Sequence, residues 1–222
     1  MIYAFYVSGH SGRLMKFLNK NDDNIISKIS IVISDKEMPL ELMNLLKVKN
    51  VSVKVIDYSN LEGKNNKEKN LELSNHIYDL LKLHGVDYMF SFGSHLLSGK
   101  LLKEYEYHLI NFHPAILPMY PGNKSIDQAV NHGNTLLVGN TAHFIDEGMD
   151  TGKIIMQSVT PLQAFLDTGD YDIVLDYAVE MLGRLIYLLD HDRVKIENDK
   201  VRILGADYTA SNIYPKLELN DI

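Results

Sequence analysis

The sequence predicts an α/β fold: a mostly parallel, twisted sheet flanked by helices, with a C-terminal β-hairpin. Three observations predict it. Short apolar, β-rich runs recur along the first half, at residues 2–7, 29–33, 51–56, 87–92 and 107–112. Stretches with helical spacing separate most of them. The first run, IYAFYV, passes through the glycine-containing turn SGHSG into such a stretch, the opening expected of a doubly wound sheet. Strands that alternate with helices are joined by crossovers, so their sheet is mostly parallel.

Each element has a local reason. RLMKFLNK (13–20) sets Leu14, Phe17 and Leu18 on one helical face. ISIVI (29–33) reads as a second buried strand. PLELMNLLKVK (39–49) is a helix with Pro39 near its start, where a missing N–H is harmless. VSVKVI (51–56) alternates as a third strand does. The polar stretch 59–69 reads as a loop leading into a helix over 68–85 that Gly85 stops. DYMFSF and YHLINF are the fourth and fifth strands, with LLSGKLLKEY (96–105) helical between them. Beyond Gly122 come a short helix (125–133), two strands (136–146 and 153–162) around EGMDTG, and a long amphipathic helix (171–192). RVKIENDKVRIL (193–204) reads as a hairpin turning at Asn198–Asp199, followed by an irregular tail. No repeat or linker divides the chain. We read 1–190 as one catalytic domain, and 191–222 as a hairpin and tail packed on it or placed at a homodimer interface.

Composition narrows the function. The 222 residues carry a formal net charge of −7, so the basic footprint of a nucleic-acid binder is missing. There is no cysteine, which removes disulfides, thiol catalysis and Cys-based zinc sites. No apolar run approaches the roughly 20 residues of a membrane helix. The expectation is a cytoplasmic protein that binds neither nucleic acid nor membrane.

Three stretches carry chemistry. In NFHPAILPMYPG (111–122), three of the chain's six prolines follow the end of a strand. Asn111 and His113 alternate onto one strand face at its C-terminal end, where open α/β sheets bind ligands. Pro114, Pro118 and Pro121 stiffen the exit, which holds such a pair in place. A capping Asn and a core-edge His beside a stiff loop explain the spacing equally well. In NTAHFIDEGMDTGKII (140–155), His143 shares a face with Thr141, and Asp150 follows in a glycine-flanked loop that brings a carboxylate close to a ligand. Aimed at His113, that carboxylate favours the charged imidazole; as a plain turn residue it needs no partner. A metal on His113, His143 and Asp150 lacks tight ligand spacing, and no metal is expected. In SGHSGRL, Ser8, Gly9, His10, Ser11, Gly12 and Arg13 form a turn before a helix, suited to a phosphate or simply a tight turn.

Together, NFHPAILPMYPG, GNTAHFIDEGMDTGKIIMQ and, less specifically, SGHSGRL and FSFGSHLLSGKLL resemble the folate-dependent formyltransferases over roughly residues 1–190. The resemblance implies a Rossmann-like fold and transfer of a formyl group from N10-formyltetrahydrofolate to a primary amine. It assigns catalysis to Asn111, His113 and Asp150, with His143 and Thr141 in support. It sets the pterin against two loops, Gly93, Ser94, His95, Leu96, Leu97 and Asp146, Glu147, Gly148, and a phosphorylated acceptor against residues 8–13 and Glu180. Methionyl-tRNA formyltransferases carry a further C-terminal domain, and formyltetrahydrofolate hydrolases an N-terminal one. The expected acceptor is the amino group of a nucleotide-linked amino-dideoxysugar used in surface polysaccharide (O-antigen) synthesis, because FSFGSHLL and DEGMDTGKII look like that branch. The alternative is glycinamide ribonucleotide, favoured by the YPG ending and by Glu180. DTGK in place of Asp-Gly-Gly-Pro, and GNKSIDQA without the histidines of that branch, depart from it. A catalytically silent binding module is the reading from another class.

Overall fold

Apolar runs become strands and amphipathic stretches become the helices that cover them. The computed structural model describes residues 1–9, 11–210 and 214. His10 and most of the expected irregular tail lie outside them. In chain order the elements are β1 (Tyr3–Val7), α1 (Gly12–Lys20), α2 (Asp23–Ile26), β2 (Ile29–Ser34), α3 (Leu40–Val48), β3 (Ser52–Val55), α4 (Asn66–Leu83), β4 (Tyr88–Phe92), α5 (Lys100–Glu104) and β5 (Leu109–His113). They continue as α6 (Ser125–His132), β6 (Leu137–Phe144), β7 (Ile154–Pro161), α7 (Leu162–Thr168), α8 (Asp172–Asp190), β8 (Val194–Glu197) and β9 (Lys200–Ile203).

The sheet has seven strands in the order β3-β2-β1-β4-β5-β6-β7. The first five are mutually parallel, β6 runs antiparallel to them, and β7 runs antiparallel to β6. The chain winds outward from β1 to β3, then restarts at β4 on the other side of β1. This reversal opens a crevice between the carboxyl ends of β1 and β4.

Both faces of the sheet are covered, which is why every residue of β1 is buried. Tyr3, Phe5 and Val7 pack with Leu14, Phe17, Leu18, Leu182 and Leu185 beneath α1, α3 and α8. Ala4 and Tyr6 face Leu73, Ile77 and Leu81 of α4 on the other side. Helix α8 buries Val174, Ala178, Leu182, Leu185 and Leu189, an i, i+3, i+4 stripe laid on β6 and α1.

The helix expected over 68–85 starts two residues earlier. Asn65 caps it by accepting from Glu68 N at 3.0 Å, while the Glu68 carboxylate accepts from Lys64 N at 2.8 Å, a reciprocal N-terminal cap. It ends as expected at Gly85, which lies at φ 59. The helix expected over 96–105 is shorter. Gly99 at φ 70 starts α5 late, and the backbone before it is drawn to side chains instead: Ser94 N to Ser8 Oγ at 2.9 Å and Ser98 N to Ser74 Oγ at 3.0 Å. This leaves 93–99 as an open loop at the crevice.

β8 and β9 form the expected hairpin, with Asn198 and Asp199 at φ 49 and 64, as a two-residue turn of this hand requires. Val194, Val201 and Ile203 pack onto the main core, and Lys153 reaches the Asp199 carbonyl at 3.2 Å. The hairpin therefore shares the core of the sheet.

Close packing at the crevice fixes one residue type. A Cβ on Gly93 would stand 2.0 Å from the ring of fully buried Tyr6. Gly93→Ala should therefore lower stability by about 1–3 kcal/mol, the range for overpacking. Urea denaturation reads this, and an unchanged midpoint would contradict the packing described.

Candidate active site

A pocket of about 470 Å³ opens at the carboxyl ends of β1, β4 and β5. Asn111 and His113, the third and last residues of β5, line it together with His143 and Asp150. β5 pairs with β6 so that Asn111 lies opposite His143 and His113 opposite Thr141. Two strand residues thus meet two others across one ladder.

Asp150 completes the group from the loop after β6. It stands in the left-handed region at φ 57. Its Oδ2 accepts from Gly122 N at 2.8 Å and lies 3.3 Å from His113 Nδ1. Its Oδ1 lies 3.5 Å from Asn111 Nδ2 and 3.6 Å from His143 Nε2. Gly152 lets this loop close on β6, since a Cβ there would stand 1.7 Å from the Phe144 carbonyl oxygen.

A backbone carbonyl fixes the proton on one nitrogen of each ring. His143 Nδ1–H donates to Phe144 O at 2.8 Å, and its Nε2 faces Asn111 Nδ2 at 3.2 Å and Asp150 Oδ1 at 3.6 Å. The other Asn111 N–H, at 3.5 Å from Asp150, is loosely held. His113 Nε2–H donates to Tyr120 O at 2.9 Å, so the lone pair of the uncharged ring, on Nδ1, faces Asp150.

Burial pushes the His113 imidazole below its ordinary value. The Tyr120 carbonyl and Asp150 pull the other way and do not overcome it. The expectation that Asp150 leaves His113 raised and charged is therefore corrected: desolvation is the larger effect. Burial also works to raise the Asp150 carboxyl. The His143 contact, the Gly122 N–H and the charge of a neighbouring imidazole together outweigh it, and the net direction is down. A carboxylate beside an uncharged imidazole can receive a proton without moving.

Thr141 supports the group from beneath. Its hydroxyl donates to Ala115 O at 2.7 Å and accepts from Leu117 N at 3.0 Å and Gln157 Nε2 at 2.9 Å. This ties the proline segment, which contains a cis Leu117–Pro118 bond, to β6. The prolines are the stiff wall and Thr141 is the clamp.

The other expected residues divide. Gly93, Ser94, His95, Leu96, Leu97 and Gly148 line the pocket. Asp146 and Glu147 line a neighbouring cleft, where Asp146 accepts from Gly148 N at 3.0 Å and Thr151 Oγ1 at 2.7 Å and so shapes the loop. Ser8 and Arg13 line the pocket, whereas Gly9, Ser11 and Gly12 do not. Ser8 donates to Asp35 Oδ2 at 2.5 Å, and Arg13 lies over the Phe92 ring while donating to Phe112 O at 2.9 Å. Ser11 turns back on Gly9 O at 3.1 Å. Glu180 is exposed on α8, pairs with Arg184, and lines a separate groove beside Lys20. The structure does not bring it to the pocket.

Sequence reasoning missed Asp35, Lys36 and Lys124. Asp35 is 1% exposed and accepts from Tyr6 OH at 2.7 Å as well as from Ser8. His95 stacks on Tyr58 with ring centroids 3.6 Å apart and lies 3.5 Å from Asp35. A charged residue directly after the buried run ISIVIS was the available signal. Among the described residues, no group of three or more His, Asp or Glu could hold a metal ion, and no helix is long and apolar enough to cross a membrane.

A family model described as "Formyl transferase" matches residues 1–175. The chain is 31% identical over 163 residues to the trifunctional purine biosynthetic protein adenosine-3 of Drosophila pseudoobscura pseudoobscura, covering 72% of this chain and 11% of that one. It is 34% identical over 116 residues to the phosphoribosylglycinamide formyltransferase of Bacillus subtilis (strain 168), covering 52% and 53%. The chain thus spans about half or less of the length of these relatives. Among solved structures, glycinamide ribonucleotide transformylase 1 from Symbiobacterium toebii superposes with a TM-score of 0.75 at 24% identity, over 92% of this chain and 94% of that one. A formyltetrahydrofolate deformylase from Pseudomonas syringae pv. tomato superposes with a TM-score of 0.68 at 20% identity, over 91% and 65%. At these identities the structures share the fold.

Two measurements check the site. The folded His113 value lies below the ordinary 6.5, so its stabilising contribution is complete above that pH and is lost as pH falls through the folded value. The histidine proton NMR titration should place His113 below 6.5, and Asp150→Asn should move it lower still, because the carboxylate is an upward influence. A midpoint above 6.5 would reverse the assignment. Thr141→Val keeps the shape but strands Leu117 N and Ala115 O, and should lower stability by about 1–3 kcal/mol in urea.

Proposed function

The chain belongs to the formyl transferase family, and on that premise we propose that it is a folate-dependent N-formyltransferase acting on a phosphorylated primary amine. The observation that carries this reading is the meeting of Asn111, His113 and Asp150 at 3.3–3.5 Å in the pocket. N10-formyltetrahydrofolate supplies the formyl group as co-substrate. Leu96, Leu97, Ile145 and Met149 line the pocket and suit a flat, largely apolar ring.

The residues then divide the work. The loosely held Asn111 N–H donates to the formyl oxygen, where charge builds as the amine attacks. His113 does not serve as a donor to that oxygen, because its Nε2–H is held by Tyr120. The His113–Asp150 pair takes the proton lost by the amine and passes it to the departing nitrogen. One C–N bond forms, one breaks, and the proton count is unchanged. His143 orients Asn111. Residues 1–190 carry this activity, and the hairpin packs against them.

Phosphoribosylglycinamide is the acceptor we favour, because the names of several relatives carry it. The nucleotide-linked amino sugar, and with it a role in O-antigen synthesis, has no such support and stands second.

Asn111→Ala and His113→Ala should each lower kcat by about 10²–10³, the range for losing an oxyanion donor or an acid–base group. Full activity in both variants would overturn their catalytic roles, and a wild type that turns over no amine acceptor would return the protein to the class of binding modules. Formylation of glycinamide ribonucleotide, but not of dTDP-4-amino-4,6-dideoxyglucose, is the expected acceptor profile; the opposite profile would overturn the acceptor.

A further inference from the structure

Helix α1 sends a cation toward the strand that carries Asn111 and His113. Arg13, its second residue, is half-buried at the pocket. The guanidinium lies over the Phe92 ring, 4.3 Å from its centroid, and Nη1 donates to Phe112 O at 2.9 Å. Among the described residues no carboxylate offsets its charge: burial is the one cause that shifts it, lowering it to about 10, so it stays charged at neutral pH. Lys16, three residues further along α1, is instead tied to Asp172 and Asp176. A cation held in a wall without an anion is costly, and its retention points to a use.

The place it reaches is a gap in the sheet. β4 pairs with β5 only from Met89 opposite Leu109 to Ser91 opposite Asn111. β5 runs on to His113, held on its other side by β6. On the β4 side, no strand among the described residues pairs with Phe112 or His113, and there the pocket opens. Phe112 O belongs to the planar peptide that leads to His113, so fixing it sets the plane from which the imidazole projects. The Phe92 ring under the guanidinium stands 5.5 Å from the Phe112 ring. Arg13 therefore braces both strands where they part. An arginine can stack and donate at once because its head is a flat fork.

The same charge bears on the proton chemistry. Around His113 stand Asp150 from the loop after β6, His143 from β6 and Arg13 from α1, with His95, Lys36 and Lys124 elsewhere on the pocket wall. Burial is the largest effect and lowers His113; Tyr120 O and Asp150 raise it; His143 and Arg13 lower it further. Arg13 works against Asp150 and helps keep the imidazole uncharged.

We propose that Arg13 is a positioning residue that stands in for the missing β4 partner of Phe112 and holds the strand end carrying Asn111 and His113. In this role it acts through Phe112 and not on a substrate. Its effect on turnover rests on the proposed function; its effects on the strand and on the His113 proton do not.

Three variants of the full chain test this. Arg13→Met keeps an apolar stem, Arg13→Gln keeps a donor without charge, and Arg13→Lys keeps the charge without the planar fork. The NMR titration midpoint of His113 should rise in the Met and Gln variants, because an influence that lowers it is gone, and stay near wild type in the Lys variant. Amide hydrogen exchange over residues 111–115 should quicken most in Arg13→Met and be partly restored in Arg13→Gln. With N10-formyltetrahydrofolate and glycinamide ribonucleotide, Arg13→Met should lower kcat about tenfold, as for loss of a charged hydrogen bond, with both KM values little changed. The acid limb of its kcat profile should move to higher pH with the His113 midpoint, since the imidazole must be uncharged to take a proton. A loss of packing alone would leave that limb where it is. An unmoved midpoint in both neutral variants would overturn the inference. So would an unchanged kcat with a raised KM for the acceptor alone, which would make Arg13 a substrate contact. A shifted midpoint in a protein that formylates no amine would sink the proposed function and leave Arg13 as the brace of β5.

Discussion

Asp150 carries a negative charge into a wall where its side chain is only 10% exposed. An unpaired carboxylate there would be heavily penalised, so the surrounding chain is arranged to meet it. Gly122 supplies a backbone N–H from one side, and the two imidazoles and the Asn111 amide lie on the other. Each partner comes from a different segment: the end of β5, the end of β6 and the turn after the proline run. The carboxylate is therefore an electrostatic centre that holds three segments in register, and the proton chemistry uses the same contacts.

Support for that centre reaches outward in layers. Thr141 clamps the proline segment so that Tyr120 O and Gly122 N meet His113 and Asp150 correctly. Asp35, buried beside β1, gathers Tyr6 and Ser8, and through Ser8 it draws the loop after β4 across the crevice. Two carboxylates thus organise the pocket from opposite sides. The one beside β5 faces the reacting group; the one beside β1 fixes the rim. Between them, the opposing demands of burial and charge explain why the His113 imidazole resists protonation despite its acidic neighbour.

Much of this was legible in the chain. Apolar runs predicted the strands at the centre of the sheet, because a strand covered on both faces has few alternatives to continuous hydrophobic side chains, and alternation predicted the half-exposed β3. The Asn198–Asp199 turn was legible because few residue types accept a positive φ twice in succession. Asn111, His113, His143 and Asp150 stood out by residue type, alternation and glycine context. The helix over 96–105 was misjudged because Ser8 and Ser74, distant in sequence, hold that backbone in another conformation. Glu180 was assigned to the acceptor from its place on a helix, whereas the turn of α8 carries it to another groove.

The sequence by itself determined the strand and helix pattern, the absence of thiol chemistry and the identity of the central residues. These depend on local periodicity and side-chain type, which a chain carries wherever it goes. Only the tertiary structure decided the protonation preference of His113, the commitment of Ser8 to Asp35, and the presence of Lys36 and Lys124 in one pocket. Desolvation, hydrogen-bond competition and the gathering of charges exist only after residues far apart in sequence share one pocket.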